Sequence, residues 1–154
     1  MKKNITLILT IIFLTSCYPT KEVISDTYNV DSELNFVILK YSEPTNNGSF
    51  IRSNDAKYVD LTISMTNKSS KPREVDFTNF FLVNEQNDTK SPLWKVNRSI
   101  ETAGTENTSV NFEPMETKKL WLSFLAPKNE QIKYLIFNDK KIELKFGKTK
   151  QAMF

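Results

Sequence analysis

Residues 58–66 alternate apolar and polar side chains without a break: Val59, Leu61, Ile63 and Met65 on one side, Tyr58, Asp60, Thr62 and Ser64 on the other. A period of two fits an extended strand with one face buried; on a helix the same residues would be scattered round the axis. Residues 141–146 repeat the pattern, with Ile142, Leu144 and Phe146 inward and Lys141, Glu143 and Lys145 outward. Runs at 34–41, 80–83, 93–96, 108–112, 118–125 and 132–137 read as further strands. Phe36-Val37-Ile38-Leu39, apolar on both faces, predicts a central strand or one covered by a loop. Clusters of Asn, Ser, Pro and Asp separate the runs, at 45–48, 67–72, 84–88 and 99–107. Asn138-Asp139 predicts a two-residue hairpin, because both residues tolerate left-handed backbone angles. No helical stripe of useful length follows residue 14, and there is no internal repeat. The expected fold is all-β: an immunoglobulin-like sandwich of roughly seven to nine antiparallel strands across residues 32–148, with an all-β barrel as the alternative.

The N-terminus carries a different signal. Lys2 and Lys3 precede an apolar stretch at 5–14, and Leu14-Thr15-Ser16-Cys17 follows. A membrane-spanning helix needs about 20 apolar residues. A secretory leader needs an apolar core of only about 7–15 behind a positive start. The stretch therefore predicts a cleaved leader at residues 1–16. The tetrad resembles the lipobox of bacterial lipoproteins: an aliphatic residue three places before a cysteine, with small residues between. That resemblance implies cleavage between Ser16 and Cys17 and diacylglycerol on the Cys17 sulfur, and often an acylated amine as well. A single acyl chain holds a membrane marginally, while two or more anchor stably. A plain secretory leader ending near a cysteine is the alternative. Residues 17–31, polar and without sustained periodicity, predict a lipidated N-terminus and flexible tether, and residues 149–154 a short tail.

Removing the first 16 of 154 residues leaves 138, enough for one domain. Two of the 21 basic residues go with the leader, so 19 face 18 acidic ones and nothing in the charge predicts a nucleic-acid partner. Cys17 is the only cysteine, so no internal disulfide can form. The fold must rest on its core, to which 11 Phe can contribute large buried areas.

The order of these segments is itself familiar. A strand ending in Asn67 (VDLTISMTNKSSKP) is followed by DFTNFFLVNEQND, then by FEPMETKKLWLSFLAPKNEQIKYLIF with its Pro-led turn and two strands. This is similar to the telokin-like, immunoglobulin-like domain of unknown function found in many bacterial lipoproteins, over roughly residues 34–146. The resemblance implies a sandwich fold and an envelope location and no particular activity. Family members often place Gly after the turn proline, where this chain has Met115.

Catalytic chemistry is sparse. There is no histidine, which removes Ser–His and Cys–His nucleophiles and the common imidazole metal ligand. Gly48, Gly104 and Gly147 are too scattered to form a phosphate-cradling loop. Glu101, Glu106, Glu113 and Glu116 lie close in sequence, but a glycosidase needs two carboxyls facing one cleft, and a solvated loop is the simpler reading. Asn84, Glu85, Asn87 and Asp88 lack the ligand rhythm of a calcium loop. Asn67, Asn97 and Asn107 head Asn-x-Ser/Thr triplets that read as polar loops. No cofactor or metal is expected. Two tryptophans remain. With Leu120, Leu122 and Phe124 inward, Trp121 and Leu125 face outward as a possible partner surface; Trp94, behind Pro92, suits core packing.

The expectation is a membrane-anchored envelope lipoprotein, held through lipid on Cys17, that acts as a non-enzymatic protein-binding or assembly module. The alternative is a small-ligand or polysaccharide receptor, or a weak carbohydrate hydrolase. Tyr18, not an acidic residue, follows the cysteine, which by resemblance to the sorting rule of enteric bacteria implies the outer rather than the inner membrane.

Overall fold

A computed structural model describes residues 20–44, 55–86, 90–96 and 108–150. Twelve strands run through them: β1 (Thr20–Ile24), β2 (Tyr28–Asn29), β3 (Leu34–Ser42), β4 (Ala56–Asn67), β5 (Arg73–Asp76), β6 (Phe80–Asn84), β7 (Lys90–Val96), β8 (Ser109–Phe112), β9 (Thr117–Pro127), β10 (Ile132–Phe137), β11 (Lys140–Glu143) and β12 (Lys145–Lys150). All pairings are antiparallel. The architecture is the expected all-β sandwich.

The larger sheet runs β12-β1-β3-β4-β9-β7 and the smaller β11-β10-β6-β7, while β5 and β8 form a separate ribbon. β7 belongs to both sheets. Its first half pairs with β6, up to Pro92↔Phe81, and its second half with β9, from Leu93↔Phe124. Pro92 has no N–H to give to a ladder, and it stands where the strand changes sheets. The spine of the larger sheet is the β4–β9 pair, in register from Ala56↔Pro127 to Thr66↔Thr117.

The alternation at 58–66 places Val59, Leu61, Ile63 and Met65 in the core, all fully buried. They meet Phe36 and Ile38 from β3, Leu120, Leu122 and Phe124 from β9, and Leu82 and Leu135 from the opposing sheet. Phe80 is the hinge of the two layers. Its ring stacks on Phe137 of β10 at 3.9 Å between centroids, lies 4.9 Å from Phe77, and reaches Phe36 of β3 at 6.1 Å.

Three features depart from the sequence reading. First, part of residues 17–31 is no tether: β1 lies inside the larger sheet, with Lys21↔Tyr41 on one side and Lys21↔Thr149 on the other. Backbone hydrogen bonds on both edges hold it, so one buried apolar residue, Val23, suffices. β2 pairs with β3 at Tyr28↔Phe36. Second, the expected single strand at 141–146 is broken at Leu144. β11 pairs with β10 in the smaller sheet and β12 with β1 in the larger. Leu144 stays buried at this corner, its N–H donating to the Lys133 carbonyl at 2.8 Å, so the alternation survives the change of sheet. β12 also runs on to Lys150, past the expected boundary at 148. Third, β5 is a strand although Val75 is its only apolar residue; it is held by pairing with β8. These additions raise the strand number above seven to nine.

The turns follow their residues. Asn138 and Asp139 have φ of 46° and 62° between the paired Phe137 and Lys140, the left-handed pair that a two-residue hairpin requires. At Glu113–Glu116 the Glu116 N–H donates to the Glu113 carbonyl at 3.2 Å, with Pro114 leading and Met115 at φ 59°. That left-handed third position favours glycine, and Met115 holds it with an exposed side chain. Met115→Gly is expected to stabilise the domain by about 0.5–1 kcal/mol, the backbone relief of about 1–2 exceeding glycine's entropic penalty. A urea midpoint unchanged or lowered by the substitution would refute this.

Candidate functional site

On β9, Leu120, Leu122 and Phe124 point into the core, so Lys119, Trp121 and Ser123 point out. Trp121 is 49% exposed. It sits in a cross-strand row with Thr62 of β4, Lys40 of β3 and Glu22 of β1. Leu125 lies on the same face but is half-buried opposite Tyr58, and the buried Ser123, whose hydroxyl donates to Asp60 at 2.7 Å, separates it from Trp121. The two residues expected as one partner surface therefore share a face without forming a continuous patch. Leu39, the extra residue of a bulge between Ile38 and Lys40, and Ile24 of β1 are the other large apolar side chains exposed on this sheet.

A groove of ≈ 500 Å³ opens elsewhere, between β2 and the β10–β11 hairpin. Phe36 and Phe137 are among its lining residues, with Tyr28 and Val30 from one side and Lys140, Lys141 and Ile142 from the other. The Lys140 ammonium donates to the carbonyls of Asn29 (2.8 Å) and Val30 (3.2 Å), tying the two walls together. Lys141 lies over the Tyr134 ring, 3.8 Å from its centroid. Among the described residues no carboxylate lines this groove.

The remaining polar clusters are structural. Asn67 closes β4 fully buried: its amide donates to the carbonyls of Lys71 (2.9 Å) and Glu113 (3.0 Å), and its side-chain oxygen accepts from the Ser69 N–H at 3.0 Å. A carbohydrate cannot be attached to an amide so enclosed, which removes Asn67 as a glycosylation acceptor. Asp31 and Arg73 form a two-pronged pair at 2.6 and 3.0 Å. The Arg73 guanidinium, with the N–H groups of Glu33 and Leu34, holds the Asp31 carboxyl well below the usual carboxylate range. A lowered pKa contributes stability that is present above the unfolded value and lost as pH falls through the folded one. Arg73→Gln should remove less than about 1 kcal/mol at neutral pH, because the pair is partly exposed and screened. Acid titration of stability should show the difference shrinking below about pH 4; an equal difference at all pH values would contradict it.

Tyr41 of β3 donates its hydroxyl to Glu43, which pairs with Lys57 at 3.0 Å; burial, then this carboxylate, push the phenol upward, so it stays protonated. Glu113 and Glu116 do not face a cleft as a pair. The Glu116 carboxylate accepts the Glu113 N–H at 2.8 Å and meets Lys118 at 3.2 Å, which lowers its pKa. Among the described residues no group of three His, Cys, Asp or Glu could hold a metal ion. Ser16, Cys17, Asn87, Asp88, Asn97, Glu101, Glu106 and Asn107, and the side chain of Trp94, lie outside the described residues.

Comparison with known proteins places this geometry. Solved structures that share the fold include three bacterial proteins. A functionally unknown protein from Listeria monocytogenes matches at TM-score 0.52 and 16% identity, covering 72% of this chain and 64% of the Listeria chain. A conserved hypothetical protein from Bacillus anthracis matches at TM-score 0.55 and 12% identity, covering 85% and 99%. An uncharacterised β-sandwich protein from Clostridium difficile matches at 0.50 and 12%, covering 75% and 86%. This chain thus spans less than two thirds of the Listeria protein's length and nearly all of the Bacillus one. Among curated proteins none matches this chain in sequence. One family profile, a domain of unknown function designated DUF4352, matches residues 25–148, from just after β1 into β12. On that match the chain belongs to the DUF4352 family.

Proposed function

We propose that this protein is a lipid-anchored component of a bacterial cell envelope that works by binding rather than by catalysis. One observation carries the reading: the only cysteine of the chain stands directly after a basic start, a short apolar run and Leu14-Thr15-Ser16. The charged groups of the domain support it, since Asp31–Arg73, Glu43–Lys57, Glu116–Lys118 and Glu85–Lys133 are engaged with one another. Such pairs hold turns and strand ends; none presents an activated nucleophile. The outer membrane, reached through Tyr18 after the cysteine, is the proposed location, and an envelope protein the proposed partner. The groove floored by Phe36 and Phe137 favours a second reading, a receptor for a small ligand with an apolar body.

The full chain expressed in a lipoprotein-processing bacterium tests the anchor. The mature N-terminus should be Cys17 with a diacylglyceryl mass, found in the membrane fraction, and Cys17→Ser should remain unprocessed and unacylated. A parent protein recovered in the soluble fraction with its leader intact overturns the proposal.

A further inference from the structure

The geometry points to a bilayer of anionic phospholipid as what the outer face of the larger sheet rests on; this deepens the proposed anchoring and stands on it. Only three residue steps separate Cys17 from Thr20, where β1 begins. A chain that short spans at most about 11 Å. Because β1 is built into the sheet between β3 and β12, nothing beyond those three steps acts as a spacer.

What lies beside β1 on the outer face fits an interface. Of the four large apolar side chains exposed among the described residues, Ile24 (65%), Trp121 (49%) and Leu39 (37%) belong to this sheet; the fourth, Met115, is in the turn before β9. Lysines flank them. Lys40 follows Leu39 and shares the cross-strand row of Trp121, Lys119 precedes Trp121 on the same face, and Lys145 pairs with Ile24. Glu22, opposite Lys40, and Asp60, bonded to Ser123, are the acidic members of the paired rows. Indole rings settle at the boundary between headgroups and acyl chains, and lysine stems lie along apolar surface while their ammonium groups reach phosphate. The row of Trp121 is two residues along from that of Thr20, and three strand spacings separate β9 from β1. Trp121 is therefore about 15 Å from the start of β1, close to the reach of the leash itself.

The test uses the mature, acylated protein in vesicles of anionic phospholipid, with and without brominated acyl chains. Bromine quenches an indole only when the ring lies at or below the headgroup boundary. Tryptophan emission should fall about twofold in the brominated vesicles, and Trp121→Phe should abolish that fall while leaving the far-ultraviolet circular dichroism unchanged. Exchanging Lys40, Lys119 and Lys145 for Gln should reduce the quench. Equal emission with and without bromine overturns the inference, as does a quench that survives Trp121→Phe. Quenching absent from lipid but Trp121 shielded when an envelope protein is added overturns it in favour of a protein partner. A mature N-terminus without acyl chains removes the anchoring proposal instead, and mass spectrometry of the same sample separates that failure from the others.

Discussion

Phe80→Ala should destabilise the domain by about 3–5 kcal/mol, the range for removing a fully buried aromatic ring without collapse of the site. Phe80 is fully buried and, like Phe137, touches both layers: Phe137 and Phe77 lie against it on its own side, and Phe36 comes from the opposing sheet. Alanine would leave a cavity bounded by three aromatic rings, each fixed by its own strand or turn, so relaxation into the void is limited. Phe80→Leu keeps most of the volume and should lose markedly less. Equilibrium unfolding in urea measures both. A loss below about 1 kcal/mol for the alanine variant would show that the layers meet elsewhere.

Asn67→Ala should follow at about 3 kcal/mol, although it deletes no apolar surface. The amide of Asn67, itself fully buried, serves two carbonyls and one N–H, and alanine leaves the Lys71 and Glu113 carbonyls and the Ser69 N–H without that partner. Each buried group so orphaned costs about 1–3 kcal/mol. Two loops are affected together, since Asn67 joins the 68–72 segment to the Pro114 turn, and the Met115 N–H bonds to the Ser69 carbonyl across the same junction. Asn67→Asp tests the mechanism separately: it preserves shape and the acceptor but replaces the NH2 that makes both donor bonds with one oxygen facing two carbonyls, and it should be no better than alanine. If Asp retained full stability, the donor bonds would not be what matters.

The strands that form the core were legible because each carries several apolar residues at period two. Trp121 was placed outward by the parity of Leu120, Leu122 and Phe124, and it is exposed. β1 was not legible: Lys21 and Glu22 carry no apolar signal, and what makes them a strand is main-chain pairing to partners 20 and more than 100 positions away. Asn67 read as a loop residue, yet its position at the end of an alternating run, before Ser69 and Pro72, is the mark of a capping side chain. The groove was invisible for a topological reason. Its walls are joined by Lys140 reaching Asn29, and no local pattern encodes such a meeting. The break at Leu144 was masked because a residue at a corner between layers stays as buried as one within a strand.

The position of β1 also sets an order on maturation. In the path of the larger sheet, β12 has one neighbour, and that neighbour is β1. Among the described strands the last pairs only with the first, so completing the sheet must bring Thr20 and Lys150 together across the intervening chain. Until β12 has been made, β1 offers a bare edge, and loss of β1 would leave β12 without the neighbour it pairs with.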